Sequence, residues 1–153
     1  MKKKYIYITL VSLVVLIMAN KVEGKNSIDL SEYQWKNRLL LLFTPSLDGP
    51  AYLKLKEDLS SQEEEVKDRD LLAFHILERG ETKLENSPLP ESSGDHLREK
   101  FSITPGAFTV LLIGKDGGVK LRREGGVELA EIFALIDTMP MRQREMKEKS
   151  QQR

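Results

Sequence analysis

Four apolar runs stand out in a chain that is otherwise dense in charge. The first fills residues 5–18, where only Thr9 and Ser12 interrupt, directly after Lys2, Lys3 and Lys4. The second, Leu39-Leu40-Leu41-Leu42-Phe43, has charge before it and Thr44-Pro45 after it. Five continuous apolar residues predict a central strand buried on both faces, the habit of parallel sheets. The third, residues 71–77, follows Lys67-Asp68-Arg69-Asp70 and ends near Gly80. The fourth, residues 108–113, leads through Lys115-Asp116-Gly117-Gly118, a hairpin turn, into Val119-Lys120-Leu121-Arg122-Arg123. Alternation of apolar and basic positions there predicts an edge strand with one wet face.

Helical spacing fills the intervals. Tyr52, Leu55, Leu59 and Val66 fall on one stripe of a 3.6-residue period. Asp48 or Ser46 is placed to cap that helix, with Pro50 in its first turn, where a missing N–H costs nothing. Residues 80–94 read as a long polar loop, and Asp95 as the cap of a short helix bearing Leu97 and ending near Phe101. Leu129, Ile132, Phe133 and Ile136 share one face of a last amphipathic helix that closes before Pro140. Residues 142–153 carry charge and glutamine with little apolar face, and read as a frayed solvated helix or a tail. Before the first strand, residues 25–34 form a polar lead-in, and Tyr33 and Trp35 are placed to cover one side of the sheet. No internal repeat is visible.

The resulting order, β-α-β-α-β-β-α, predicts an α/β sandwich of the thioredoxin type. Its central mixed sheet would carry an antiparallel C-terminal hairpin and be flanked by helices. The first two long strands should run parallel through a right-handed crossover.

The basic start and the apolar run behind it have the design of a secretory signal. Small residues offer cleavage after Ala19 or after Gly24. An uncleaved anchor is the rival, although crossing hydrocarbon takes about 20 apolar residues. The expected organisation is a signal peptide over 1–24, a domain over 25–139 and a charged tail over 140–153. On that reading the chain is exported, periplasmic or extracellular, and touches a membrane only if the first segment stays attached.

Composition narrows the chemistry. The 153 residues are 40% hydrophobic and 31% charged, with 24 Lys+Arg against 24 Asp+Glu, two histidines and no cysteine. Loss of residues 1–24 would remove Lys2, Lys3, Lys4, Lys21 and Glu23, leaving 20 basic against 23 acidic residues. That balance argues against a nucleic-acid partner. The missing cysteines exclude disulfides, thiolate nucleophiles, Fe–S clusters and Cys-ligated zinc, and no metal or cofactor is expected.

The turn after the second apolar run reads Phe43-Thr44-Pro45-Ser46-Leu47-Asp48-Gly49-Pro50-Ala51-Tyr52. Leu47-Asp48-Gly49-Pro50-Ala51 resembles the Trp-Cys-Gly-Pro-Cys turn of thioredoxins with Asp48 and Ala51 in place of both cysteines. Where thioredoxins place a cis-proline, this chain has Phe108 or Thr109, and Pro105 lies upstream. Residues 37–46 together with 112–122 more closely resemble a thioredoxin/peroxiredoxin-like family of unknown function. That family occurs in exported bacterial proteins and as modules of animal extracellular-matrix proteins, including the sushi-repeat-containing ones. The resemblance covers about residues 28–138. It implies a fold and an extracytoplasmic location, and brings no catalytic residues.

Without sulfur, thiol–disulfide exchange and thiol peroxidase chemistry are excluded, because a carboxylate cannot form a mixed disulfide. Thr44, Ser46, Asp48 and Gly49 make a hydroxyl-rich turn at a helix start, fit either to hold a ligand's polar group or simply to cap and turn. Lys115, Lys120 and Arg122, with Arg123, cluster in sequence around the hairpin. They suit an acidic partner or polysaccharide, or else guard an edge strand against aggregation. His75 reads as a core or sheet-edge histidine and His96 as exposed; a Ser-His-Asp triad would need tertiary coincidence. The favoured reading is a non-redox binding module for an unknown protein or polysaccharide. The alternative is a hydrolase or isomerase using Ser46 and Asp48.

Overall fold

A computed structural model describes residues 27–151. The apolar segment 5–18 and both cleavage candidates lie outside the described residues. Six strands form one sheet: β1 (Arg38–Thr44), β2 (Leu71–Leu77), β3 (Thr82–Leu84), β4 (Ser87–Pro88), β5 (Thr109–Ile113) and β6 (Val119–Glu124). Their spatial order is β4-β3-β2-β1-β5-β6. The α1 (Pro50–Ser61) and α2 (Glu63–Asp68) helices link β1 to β2, which run parallel, while every other pairing is antiparallel. The remaining helices are α3 (Ser93–Lys100), α4 (Leu129–Asp137) and α5 (Pro140–Gln151). The expected mixed sheet with a C-terminal antiparallel hairpin is met.

The leucine run earns its central place because both faces of β1 are covered. Leu40 and Leu42 face Tyr52, Leu55 and Leu59 of α1 and Leu129, Ile132, Phe133 and Ile136 of α4. Leu39, Leu41 and Phe43 face Leu30, Leu97 and Ile103 on the other side. A fully buried leucine contributes roughly 1.5–3 kcal/mol, so this one strand carries a large share of the core. The edge reading of β6 also holds: Leu121 alone of its side chains packs against the core, and the rest are exposed.

Several expectations differ from the structure. The stripe through Tyr52 and Val66 is broken at Gln62, whose non-helical backbone separates α1 from α2. The polar loop over 80–94 contains β3 and β4, two short strands whose pairing needs few apolar positions. The N-cap of α3 is Ser92 rather than Asp95, which lies in the first turn. Tyr33 does reach the sheet, edge-on to Phe74 with ring centroids 5.6 Å apart. Trp35 does not cover the sheet: it is 64% exposed at a φ of 65°, with its N–H donating to the Lys115 carbonyl at 2.6 Å.

The largest departure is at the C-terminus. Of the frayed helix or tail expected there, residues 140–151 form a helix, α5, but a docked one, held by ion pairs rather than by an apolar face. Arg38, 1% exposed, grips both carboxylate oxygens of Glu145 at 3.1 Å. Lys115 reaches Glu145 and Asp70 at 2.8 Å each. Arg142, 3% exposed, joins Asp137 at 3.0 Å and also pairs with Asp68, which Lys149 meets at 2.7 Å. Arg69 lies over the Phe133 ring at 4.3 Å and pairs with Asp137 and Glu65.

Candidate functional site

The turn at the C-terminal end of β1 satisfies its own polar groups. The buried Thr44 hydroxyl donates to the Ser46 carbonyl at 2.6 Å. A hydrogen bond from the Ser46 side chain, helped by Asp48's own backbone, holds the Asp48 carboxyl below its ordinary range. Neither residue caps α1. Its N-cap is Gly49, which makes no side-chain bond, with Pro50 at N1. The cap expectation fails because the helix begins two residues beyond Asp48, with Gly49 as its N-cap, and proline removes one of the N–H groups a cap at Asp48 would serve. Leu47 is the apolar residue this turn leaves outward, 54% exposed.

Behind the turn, Arg98 of α3 donates to the Thr44 carbonyl at 3.2 Å and the Ile76 carbonyl at 3.0 Å, with its guanidinium 5.7 Å from the Phe43 ring centre. It ties the C-terminal ends of β1 and β2 together from the opposite face. Burial holds its pKa below the ordinary arginine value, against the nearby Glu78 and Asp95. Sequence reasoning missed it, because a polar helix with a single core leucine gives no sign of which cation turns inward.

A groove opens beside the turn, along β2 between α1–α2 and the β3–β4 hairpin. Two cavities, about 450 and about 250 Å³, share Lys56, His75, Glu85 and Asn86. Leu47 and Tyr52 line the smaller one, and Leu59, Val66 and Leu71 the larger. The Tyr52 hydroxyl lies 3.1 Å from His75 Nδ1, and the two rings meet edge-on. Burial first, then Lys56 and Lys83, pushes the His75 pKa down to about 4. Burial likewise raises that of Tyr52. The pair is therefore neutral at pH 7. The placing of His75 on the face of Leu71 and Ala73 agrees with the sequence reading, and His96 is exposed on α3.

The sequence candidates do not form one site. Thr44, Ser46, Asp48 and Gly49 sit at the C-terminal end of β1, whereas the hairpin tip follows Ile113, the partner of Leu39 at the other end. Five register positions separate Leu39 from Thr44, about 16 Å of strand. Nor are the hairpin cations free. Lys115 is consumed by Asp70 and Glu145, Lys120 pairs with Asp116 at 2.6 Å, and Arg123 pairs with Glu131 at 3.1 Å. Arg122 donates to the Phe101 and Ser102 carbonyls at 2.7 and 3.0 Å. Of the two sequence readings, a partner patch or a guarded edge strand, the arrangement favours the second, since Lys115 is held in ion pairs and the exposed Lys120, Arg122 and Arg123 each meet an acid or a carbonyl of this chain. Among the described residues no group of three or more histidines or acids is gathered to hold a metal. Nor, among them, is any helix long and apolar enough to cross a membrane.

Comparison with known proteins bears on family and fold. Residues 29–145 match the family described as Domain of unknown function (DUF4174). Coiled-coil domain-containing protein 80 of Danio rerio is 29% identical over 133 residues; the match covers 76% of this chain but 15% of that protein. The reduced 2-Cys peroxiredoxin of Plasmodium vivax superposes with a TM-score of 0.58 at 14% identity, covering 76% of this chain and 72% of that one. The pneumococcal exposed lipoprotein thioredoxin of Streptococcus pneumoniae gives 0.51 at 18% identity, over 72% of this chain and 90% of that one. The fold is thioredoxin-like, of the peroxiredoxin kind, and the chain has no cysteine with which to run that chemistry.

Proposed function

This chain belongs to the DUF4174 family, and from that premise we propose that it is an exported, non-redox binding module. Its working surface on this reading is the groove beside the turn rather than the turn or the hairpin. The observation that carries this is the contrast between the three places. The turn's hydroxyls and carboxylate are bonded within the turn, and each hairpin cation meets an acid or a carbonyl of this chain. Only the groove combines open volume with a neutral histidine, lysines and an apolar wall. The partner it would hold is a segment of protein or polysaccharide. Export is supported by the three lysines at the start and the apolar run behind them.

The test is direct. The full chain, assayed for disulfide reduction and peroxide consumption, should match a boiled control; activity above it overturns the reading. The intact mass of protein recovered outside the cytosol should lack the first 19 or 24 residues, and an undiminished mass would replace the cleaved signal by a tether. The hydrolase or isomerase alternative draws on the Ser46–Asp48 hydrogen bond. It has less support, because a carboxyl held below its ordinary range is a weak base and His75 is engaged by Tyr52.

A further inference from the structure

His75 occupies a core position of the sheet but is covered on one side only, half-buried against Tyr52. Strand pairing places Leu42, His75, Lys83 and Pro88 in one row across β1, β2, β3 and β4. Directly opposed residues of antiparallel strands have Cβ atoms about 5 Å apart, so Lys83 is the cross-strand neighbour of the imidazole. Helices α1 and α4 cover this face over β1 and β5, but the row beyond His75 lies open, and that opening is the groove.

The donors there point to one chemistry. A phenol is the better donor of a tyrosine–imidazole pair, so the Tyr52 hydroxyl serves His75 Nδ1 and leaves the ring proton on Nε2. Lys56 pairs with no carboxylate among the described residues. Among the described residues Lys83 has one ion pair, with the exposed Glu81 at 3.1 Å, a solvated contact that leaves ammonium protons for a ligand in the groove. Glu63 and Asp70 of the larger cavity are already paired with Lys67 and Lys115, while Glu81 and Glu85 stand at the mouth of the smaller one, so the two lysines are nearly balanced and the field is too weak to strip water from a dianion. Leu59, Leu77 and Ala73 supply apolar wall on either side of the donors.

We infer that the groove at His75 is a site for the carboxylate of a small organic monoanion, received by Lys56, Lys83 and His75 Nε2–H. The apolar body of the ligand lies along the wall of Leu59 and Leu77. This assignment rests on the binding-module reading and gives its ligand a chemical class.

The chain has two histidines, and exposed His96 is a built-in control for His75 in the imidazole NMR spectrum. Benzoate, titrated into the full chain near pH 7, should move the His75 resonance saturably and leave His96 in place. Inorganic phosphate at the same ionic strength should not. The Lys56→Gln/Lys83→Gln variant changes only exposed or half-exposed side chains, and should weaken the benzoate response on the order of tenfold, the loss of charge-assisted contacts. A flat response, an equal response to phosphate, or an undiminished response in the variant would each overturn the assignment. A flat response combined with inert redox assays would remove this ligand class while leaving the binding-module reading in place.

Discussion

Tyr52 and His75 are joined across the helix–sheet boundary, the phenol hydroxyl 3.1 Å from the imidazole Nδ1. Tyr52 is also edge-on to Phe108, so one side chain fixes the first turn of α1 to both β2 and the entry of β5. The consequence is a histidine that stays neutral and stationary beneath an open groove.

That neutrality sets a pH dependence. The folded pKa of His75 is about 4 against an ordinary 6.5, so the unfolded chain takes up a proton that the folded one refuses. Stability should be complete above pH 6.5 and fall as pH drops from 6.5 towards 4, by at most about 3.4 kcal/mol at 1.36 kcal/mol per pH unit. Urea midpoints measured across this range should show the decline, and His75→Gln should flatten it.

A second acid limb belongs to α5. Hydrogen bonds from Lys149 and then Arg142 bring the Asp68 pKa to about 2 from an ordinary 3.8. Burial opposes ionisation of Glu145, but Arg38 and Lys115 outweigh it and hold that carboxyl below its ordinary range too. Both groups stabilise the fold above their unfolded values, and that support is lost as pH falls from about 4 to about 2. Amide exchange in α5 should accelerate there before the strands of the sheet open. An α5 that exchanges no faster than β1 would contradict the ionic docking.

Glu145→Ala should cost about 3–5 kcal/mol in chemical denaturation, because it leaves the buried Arg38 without its counter-ion. Replacing both partners, Arg38→Met with Glu145→Leu, should recover most of that loss, since an apolar pair carries no desolvation penalty. Equal damage from the single and double variants would show that the pair contributes in some other way.

Asp48→Asn should lower the thermal midpoint only slightly, as the carboxylate caps nothing and its bond from Ser46 lies in solvent. Thr44→Val, which removes the buried hydroxyl's bond to the Ser46 carbonyl, should cost about 1 kcal/mol. The reverse ranking would restore Asp48 as the helix cap.

Gly94 is packed where a side chain has no room: a Cβ there would meet the buried Thr82 Oγ1 at 2.6 Å. Gly94→Ala should destabilise by about 1–3 kcal/mol. Thr82→Ala in the same chain should relieve much of it. Thermal denaturation of the three variants gives the answer.

The parts of this fold that are legible in sequence are those held by apolar surface. Leu39 to Phe43, the stripe from Tyr52 to Leu59 and the face of Leu129 to Ile136 each announce an element and its buried side. The parts that are not legible are held by charge or by pairing. Nothing in the order of Arg142, Glu145 and Lys149 tells that their partners are Arg38, Asp68, Asp137 and Lys115 on other elements, so α5 reads as a loose end. The hairpin cations mislead for the same reason, since proximity in sequence hides the acids and carbonyls opposite them. The turn at Thr44 is legible as a place, whereas the groove is not. His75 and Lys83 become neighbours only through a register between β2 and a three-residue strand, and so short a strand leaves almost no periodic trace.

Trp35, the single indole of the chain, stands outside the packed layers with its ring in water. At 64% exposure its emission maximum should lie near that of a solvated indole in the native protein, so denaturant should move the wavelength little even as the sheet comes apart. What the fluorophore reports is its own mount, the bond from its amide to the loop at Lys115. Spectroscopists following the unfolding of this protein must watch its tyrosines or its circular dichroism instead.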